Sequence, residues 1–221
     1  MRVALRNVRL MHSPKKAIPP SVVKRLPKYL AYVQALSLQK LEWVSSNELA
    51  DQLGLTSSTV RQDFSYFDFS GISKRGYEVS GLQSMLTQIL GADSDWKVVV
   101  VGAGNLGRAL ALHEEFPRRG FNIVGIFDAD PAKQGMVIGS LTVKSPRELP
   151  TVVGQLGVNM GIVAVPAEAA QPVADLLVAA GVKGLLNMAL THIIVPKSVS
   201  VIDSRIVASL LELSHSVLFS D

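Results

Sequence analysis

Cysteine is absent from the 221 residues, so no disulfide framework, thiol nucleophile or cysteine-based zinc site can be built. The four histidines are scattered without the spacing of a ligand set, and no metal is expected. There is no run of eighteen or more apolar residues, and the start MRVALRNVRLMHSPKK has neither an apolar h-region nor a small-residue cleavage site. Neither a membrane span nor a secretory signal is expected, and a cytoplasmic location is the default. Acidic residues are missing from the first 41 positions, which carry nine basic ones. Residues 1–85 have a net charge of +6 and residues 86–221 of −2, an asymmetry that the overall +4 conceals. Such a front half suits a polyanionic partner such as nucleic acid, or else a solvated basic arm.

With 48% hydrophobic residues the chain can bury sizeable cores. A helix-like apolar run ends at Gly91, and the stretch ILGADSDWK (89–97) then leads into a strand signal at Val98. The expected division is 1–18, 19–90, 91–200 and 201–221. In the front part Val22, Val23, Leu26, Leu30, Val33 and Leu36 recur at helical spacing, with Pro19 or Pro20 suited to a helix start and Pro27 set to end or kink one. Residues 45–67, SSNELADQLGLTSSTVRQDFSYF, predict two short helices with a tight turn. Ser46 would cap the first, Asn47–Leu53; Gly54 permits a left-handed turn; Thr56 or Ser57 would cap the second, running to about Phe67. Ala50, Gly54 and Val60 stand at offsets zero, four and ten, the small residue, turn glycine and branched core residue of a helix-turn-helix. Leu49, Leu53, Val60 and Phe64 would be core. Ser57, Ser58, Thr59, Arg61 and Gln62 would stay exposed, able to bond phosphates or base edges. The following SGISKRGYEV, with Lys74, Arg75 and Tyr77, predicts a β-hairpin wing. A small helical domain for protein contacts fits the same pattern.

The back part alternates strand-like and helix-like runs, the pattern of a doubly wound parallel sheet. GAGNLG follows the strand VVVV and opens a helix expected over Leu106–Phe116, the context a dinucleotide fingerprint requires. Gly102 would allow the sharp turn, Gly104 the approach of a pyrophosphate and Gly107 helix-on-strand packing. Asp128, twenty-six residues after Gly102 at the end of FNIVGIFD, would accept from an adenosine ribose and repel a 2′-phosphate, favouring NAD(H). A methyltransferase, a CoA- or nucleotide-binding relative and a sheet without ligand remain open alternatives. Glu168 and His192 form no acid–base arrangement suited to hydride transfer. In the tail, Ile202, Ile206, Val207, Leu210, Leu211, Leu213 and Val217 make too broad an apolar helical face for solvent, to be covered by a second subunit or by the chain's own domain.

These stretches, VRQDFSYF, VVGAGNLGRAL, GIFDADPAKQG and VPAEAAQPVADLLVAAGVKGLLNMA with a C-terminal helix, resemble the Rex family of redox-sensing transcriptional repressors from about Pro19 onward. The resemblance implies an α/β chain: a winged helix-turn-helix, a Rossmann-like dinucleotide domain and a last helix that crosses to the partner of a homodimer. It implies a non-enzymatic repressor that binds double-stranded operator DNA and lets go when NADH binds. By position, Gly102, Ala103, Gly104, Asn105, Leu106 and Gly107 would hold the pyrophosphate and Asp128 the ribose. Val165 and Pro166 would lie beside the cofactor, and Asn187, Met188 and Ala189 would border the nicotinamide. Ser57, Ser58, Arg61 and Gln62 would serve the major groove, Tyr66 would also contact DNA, and Lys74 and Arg75 would serve the wing. Gln62, Met188, Ala31 and His113 stand where the family usually has Lys, Phe, Arg and Tyr. That Arg pairs across the dimer with the acid matching Asp203, so Ala31, His113 and Met188 touch the switch and fit a divergent paralogue. Residues 1–13 exceed the usual family start; a DNA-contacting arm, an extension or a true start at Met11 would each account for them.

Overall fold

The computed structural model describes residues 17–219. Two compact units divide the chain, the first ending at Asp93 and the second beginning at Ser94. The expectations for the first sixteen residues lie outside the described residues.

The first unit opens with α1 (Pro20–Val23) and α2 (Leu26–Leu38). Pro27 lies in the first turn of α2, where a missing N–H costs no helical hydrogen bond, so the proline starts a helix instead of kinking one. There follow β1 (Trp43–Val44), α3 (Ser46–Leu53), α4 (Ser57–Phe64), β2 (Tyr77–Glu78) and α5 (Val79–Leu90). Tyr29, Val33, Leu49, Val60, Phe64 and Leu86 meet in one core. The cap of α3 is Ser45, not Ser46: its hydroxyl accepts from the Glu48 N–H while the Glu48 carboxylate accepts from the Ser45 N–H. Glu48 is three residues after Ser45, the only register in which this reciprocal pair closes. Gly54 has φ +64 and Thr56 caps α4. That helix ends at Phe64 and not near Phe67, where the Ser65 hydroxyl donates to the Gln62 carbonyl and the chain turns. The expected hairpin wing reduces to a single bridge between Ile72 and Gly76. Its second arm instead pairs β2 antiparallel with β1, Val44 opposite Tyr77. The Tyr77 ring directs that pairing, buried edge-on against Phe64 at 5.0 Å.

The second unit contains β3 (Trp96–Val101), α6 (Asn105–Ala111), α7 (Glu115–Arg118), β4 (Phe121–Phe127), β5 (Val137–Ile138), β6 (Leu141–Lys144), α8 (Leu149–Leu156), β7 (Met160–Val163), α9 (Ala167–Ala179), β8 (Gly184–Asn187), β9 (Ser200–Asp203) and α10 (Ile206–Leu218). The sheet order is β5-β6-β4-β3-β7-β8-β9, with only the β5–β6 pair antiparallel. Leaving out β5, this is the doubly wound order of a dinucleotide fold, reversing direction between β3 and β7. The run of valines in β3 serves both faces in alternation. Val99 and Val101 join Phe127, Ala174 and Leu177 beneath α8 and α9, while Val98 and Val100 join Ile126 and Ile162 on the opposite face.

Two expected helices change shape. The one predicted over Leu106–Phe116 breaks between Ala111 and Glu115, because the ring of Pro117 would clash with the His113 carbonyl in a continuous helix. The tail is not helical from residue 201: Ser200–Asp203 pairs in parallel with β8, so Ile202 is a strand residue and the helix starts at Ile206. The β-branched alternation of VSVID wins there over helical spacing. Among the described residues no helix is long and apolar enough to cross a membrane, and none cluster as a metal-ligand group.

Candidate functional site

In the second unit the expected cofactor residues gather at the carboxyl ends of the strands, around the point where strand order reverses. The glycine loop leaves β3 and is pinned from both sides. The Gly102 N–H donates to the Phe127 carbonyl (2.7 Å), and the Ala103 N–H donates to Asp128 Oδ2 (2.7 Å). Gly102, at φ +108, lies against the loop after β7, where a Cβ would stand 2.1 Å from the Ala164 carbonyl oxygen. Val165 and Pro166 continue that loop, and the Met188 N–H donates to the Val163 carbonyl at 3.0 Å, bringing the end of β8 alongside. Gly107 presses on the Gly102 carbonyl, which a Cβ would meet at 1.8 Å; a Cβ on Gly104 meets nothing within 4 Å. Gly104 has no side chain to cap α6, leaving the first N–H groups of Asn105 and Leu106 for an anion.

Asp128 is buried and heavily engaged. Besides Ala103 it takes the Asp130 N–H on Oδ1 (2.9 Å) and Lys133 Nζ on Oδ2 (3.1 Å). Burial pushes its carboxyl up, but the Asp130 and Ala103 amides and Lys133 outweigh that and hold it below the ordinary range. With about four acceptor positions on a carboxylate, one remains for a ribose hydroxyl. Lys133, missed in the sequence, also tempers the negative charge expected to repel a 2′-phosphate. Asn187 differs from its neighbours. Its side chain is 0% exposed and its amide is spent inside the chain, donating to the Thr191 carbonyl (2.8 Å) and Asp203 Oδ1 (2.7 Å) and accepting from the Ala189 N–H (3.1 Å). It shapes the segment carrying half-buried Met188 and buried Ala189, and offers no free polar group to a ligand. Asp203 has a second neighbour in Arg205, 3.5 Å away. His113 is exposed and stacks on Phe116.

In the first unit Ser58, Arg61 and Gln62 are exposed on α4, with Ser57 and Thr59 half-buried. Arg61 reaches back to the Ser46 hydroxyl (3.0 Å), and Thr59 is tied to Thr56. Tyr66, after the helix, is half-buried against the core. The buried face of α4 carries a residue the sequence reading passed over. Asp63, 1% exposed, accepts from Arg25 Nε and Nη2 (2.7 and 2.6 Å) and from the Tyr29 hydroxyl (2.8 Å). The bond to Asp63 holds the Arg25 guanidinium above its ordinary value, and burial pushes the Tyr29 phenol up. A carboxylate between Val60 and Phe64 on an apolar face was the available signal. Lys74 (φ +65) and Arg75 form the tip of the loop, and together with Arg61 and Ser46 they line a groove of about 690 Å³.

Two surfaces of the second unit are left apolar. On α10, Ile206, Leu210, Leu211, Val217 and Leu218 are all more than half exposed, so the chain's own domain does not cover the helix. On the sheet, an apolar groove of about 530 Å³ runs along Ile123, Val98, Ile162, Leu186 and Ile202.

Two family models match the chain: a putative DNA-binding protein N-terminus over residues 17–65 and a CoA binding domain over residues 93–191. A redox-sensing transcriptional repressor Rex of Caldicellulosiruptor saccharolyticus is 40% identical over 203 residues, 92% of this chain and 93% of the relative. Rex 1 of Thermotoga maritima is 45% identical over 202 residues, 91% and 96% respectively. Among solved structures, the repressor RSP in complex with NAD⁺ and operator DNA matches with a TM-score of 0.87 at 34% identity, covering 92% of this chain and 94% of that one. RSP with NADH matches with a TM-score of 0.84, also at 34% identity, over 92% and 95%.

Proposed function

The chain belongs to the Rex family of redox-sensing transcriptional repressors, and we propose that Arg61, Gln62 and the 74–75 loop hold operator DNA while the crevice at the β3/β7 reversal reads the redox state of NAD(H). The observation that carries this reading is the convergence of residues 102–107, 128, 165–166 and 188–189 on one strand edge. The chain is a repressor and not an enzyme, so the cofactor is a signal. NAD⁺ carries a positive charge on its nicotinamide ring and NADH does not. The apolar Met188–Ala189 border would favour the neutral ring, because burying an unpaired charge costs free energy. That difference is what a ligand needs in order to shift a population: NADH must bind the DNA-incompetent arrangement more tightly than the competent one.

The homodimer forms through α10, and we place its seat in the partner's apolar groove beside β7, β8 and β9. In a parallel sheet both faces are normally covered, and this one lacks a helix of its own chain there, while α10 lacks a cover. A two-fold pair satisfies both and matches a pseudo-palindromic operator.

The test is a titration of operator DNA in the presence of NADH or of NAD⁺ at one fixed ionic strength, since salt alone moves such affinities. NADH should release the duplex and NAD⁺ should not. Arg61→Ala should weaken specific binding by about 1–3 kcal/mol and relax base preference. Equal affinity with both forms of the cofactor would overturn the sensor, and an unchanged operator affinity in Arg61→Ala would overturn the reading helix.

A further inference from the structure

Trp43 is the chain's one tryptophan in the first unit, and it is not spent on the core: it sits half-buried on the two-residue strand β1. The guanidinium carbon of Arg75 lies 3.9 Å from the centroid of its ring. Two features make this contact a consequence of the backbone. Trp43 is fixed by the β1–β2 pairing opposite Glu78. Arg75 is followed by Gly76, at φ +94, whose absent Cβ would lie 2.3 Å from the Val44 carbonyl oxygen, so the loop is pressed onto the strand that carries the ring. The loop itself is closed by Ile72 N–H to the Gly76 carbonyl (2.7 Å) and Gly76 N–H to the Ile72 carbonyl (2.9 Å).

We propose that Trp43 is a positioning residue for DNA binding, a platform that holds Arg75 ready for a backbone phosphate across the groove from Arg61. This rests on the operator-binding reading above. A guanidinium stacked on an indole uses its face, while its five N–H donors point outward in the ring plane and stay available for phosphate oxygens. The side chain's rotamer freedom is given up before DNA arrives, so less is lost on binding. A phosphate contact carries no sequence information, and Arg75 accordingly contributes affinity while Arg61 and Gln62 contribute specificity.

The experiment is a double-mutant cycle on the full-length protein, with a mixed-sequence DNA duplex as probe and affinity measured across a range of salt. Arg75→Gln should weaken binding and lower the slope of log affinity against log salt by about one. Trp43→Leu should weaken binding by about two- to fivefold in the parent, the size of an exposed cation–π contact, and have no further effect in the Arg75→Gln background. Trp43→Phe, with a poorer π face, should lie between them, and repeats the cycle in a variant that keeps an aromatic ring at that position. Equal effects of the Trp43 substitutions with and without Arg75, or no effect in either background, overturn the proposal. Failure of the parent itself to bind the duplex would instead overturn the DNA-binding reading, and is seen before any variant is made.

Discussion

Gly104→Val should separate cofactor binding from folding. The three glycines of the loop face different surroundings. A Cβ on Gly102 would lie 2.1 Å from the Ala164 carbonyl oxygen, and one on Gly107 would lie 1.8 Å from that of Gly102. At Gly104 nothing stands within 4 Å and φ is an ordinary −74. Valine there costs about 1 kcal/mol as a poor helix N-cap, a fall in Tm of roughly 4 °C for a unit of this size. Its side chain fills the space by which a pyrophosphate would approach α6. Losing two charge-assisted hydrogen bonds, each about 1.5–3 kcal/mol, lowers NADH affinity by a factor on the order of 10² to 10⁴. Thermal melting, calorimetric titration with NADH and DNA binding report the three quantities separately. The expected variant folds, binds DNA and ignores NADH. A folded variant that NADH still releases from DNA would refute the placement of the pyrophosphate. Gly107→Ala is the contrast: it should lose stability outright, with or without cofactor.

Asp63→Ala strands the Arg25 guanidinium and the Tyr29 hydroxyl, and breaking such a pair costs about 3–5 kcal/mol. With Arg25 26% exposed the loss should fall at the lower end by denaturant unfolding, and Arg25→Met with Asp63→Leu should recover most of it; a loss below about 1 kcal/mol would refute the anchoring role. Leu211→Glu places a charge on the exposed face of α10 and should give a monomer in sedimentation with weakened operator binding, whereas a persistent dimer would move the interface elsewhere. Asp128 and Glu48 both have depressed folded-state pKa values, the latter through the Ser45 backbone and hydroxyl. Their contribution is complete above the unfolded carboxylate range and is lost as pH falls through it to the lower folded values. Tm should therefore hold between about pH 5 and 8 and drop below about pH 4, less steeply in Asp128→Asn.

Local chemistry was the legible part of the fold. Thr56 and Gly54 declared the ends of the helix-turn-helix because caps and left-handed turns act within a few residues, and the unbroken run of valines in β3 is the pattern of a strand buried on both faces. Ser45 was missed by one residue because two serines are adjacent and only the reach of Glu48 decides between them. The break at Leu112 was also local, written in Pro117, yet the apolar spacing of the preceding helix overshadowed it. β9 was not local: Ser200–Asp203 is extended because β8 lies open beside it, and helical spacing across Ile202 gave no hint of that edge.

At the site, the positions implied by resemblance divide by what their side chains are free to do. Gly104 faces open space and Arg61 and Gln62 face solvent, so these are available to a ligand. Asn187 occupies a corresponding position in sequence, but every polar atom of its amide is committed within the chain. Its bond to Asp203 ties the segment that ends β8 to the strand end from which α10 departs, sixteen residues on. Asp203 was expected to seek an arginine across the dimer from the position that Ala31 holds here. Its carboxylate instead has Asn187 on one oxygen and Arg205 of its own chain 3.5 Å from the other. Two donors of its own chain therefore already stand at the Asp203 carboxylate. Ala31 has no charge to offer it, whereas Arg205 of the chain's own tail already stands beside that carboxylate. The root of α10 is therefore held chiefly by residues at the cofactor end of its own sheet.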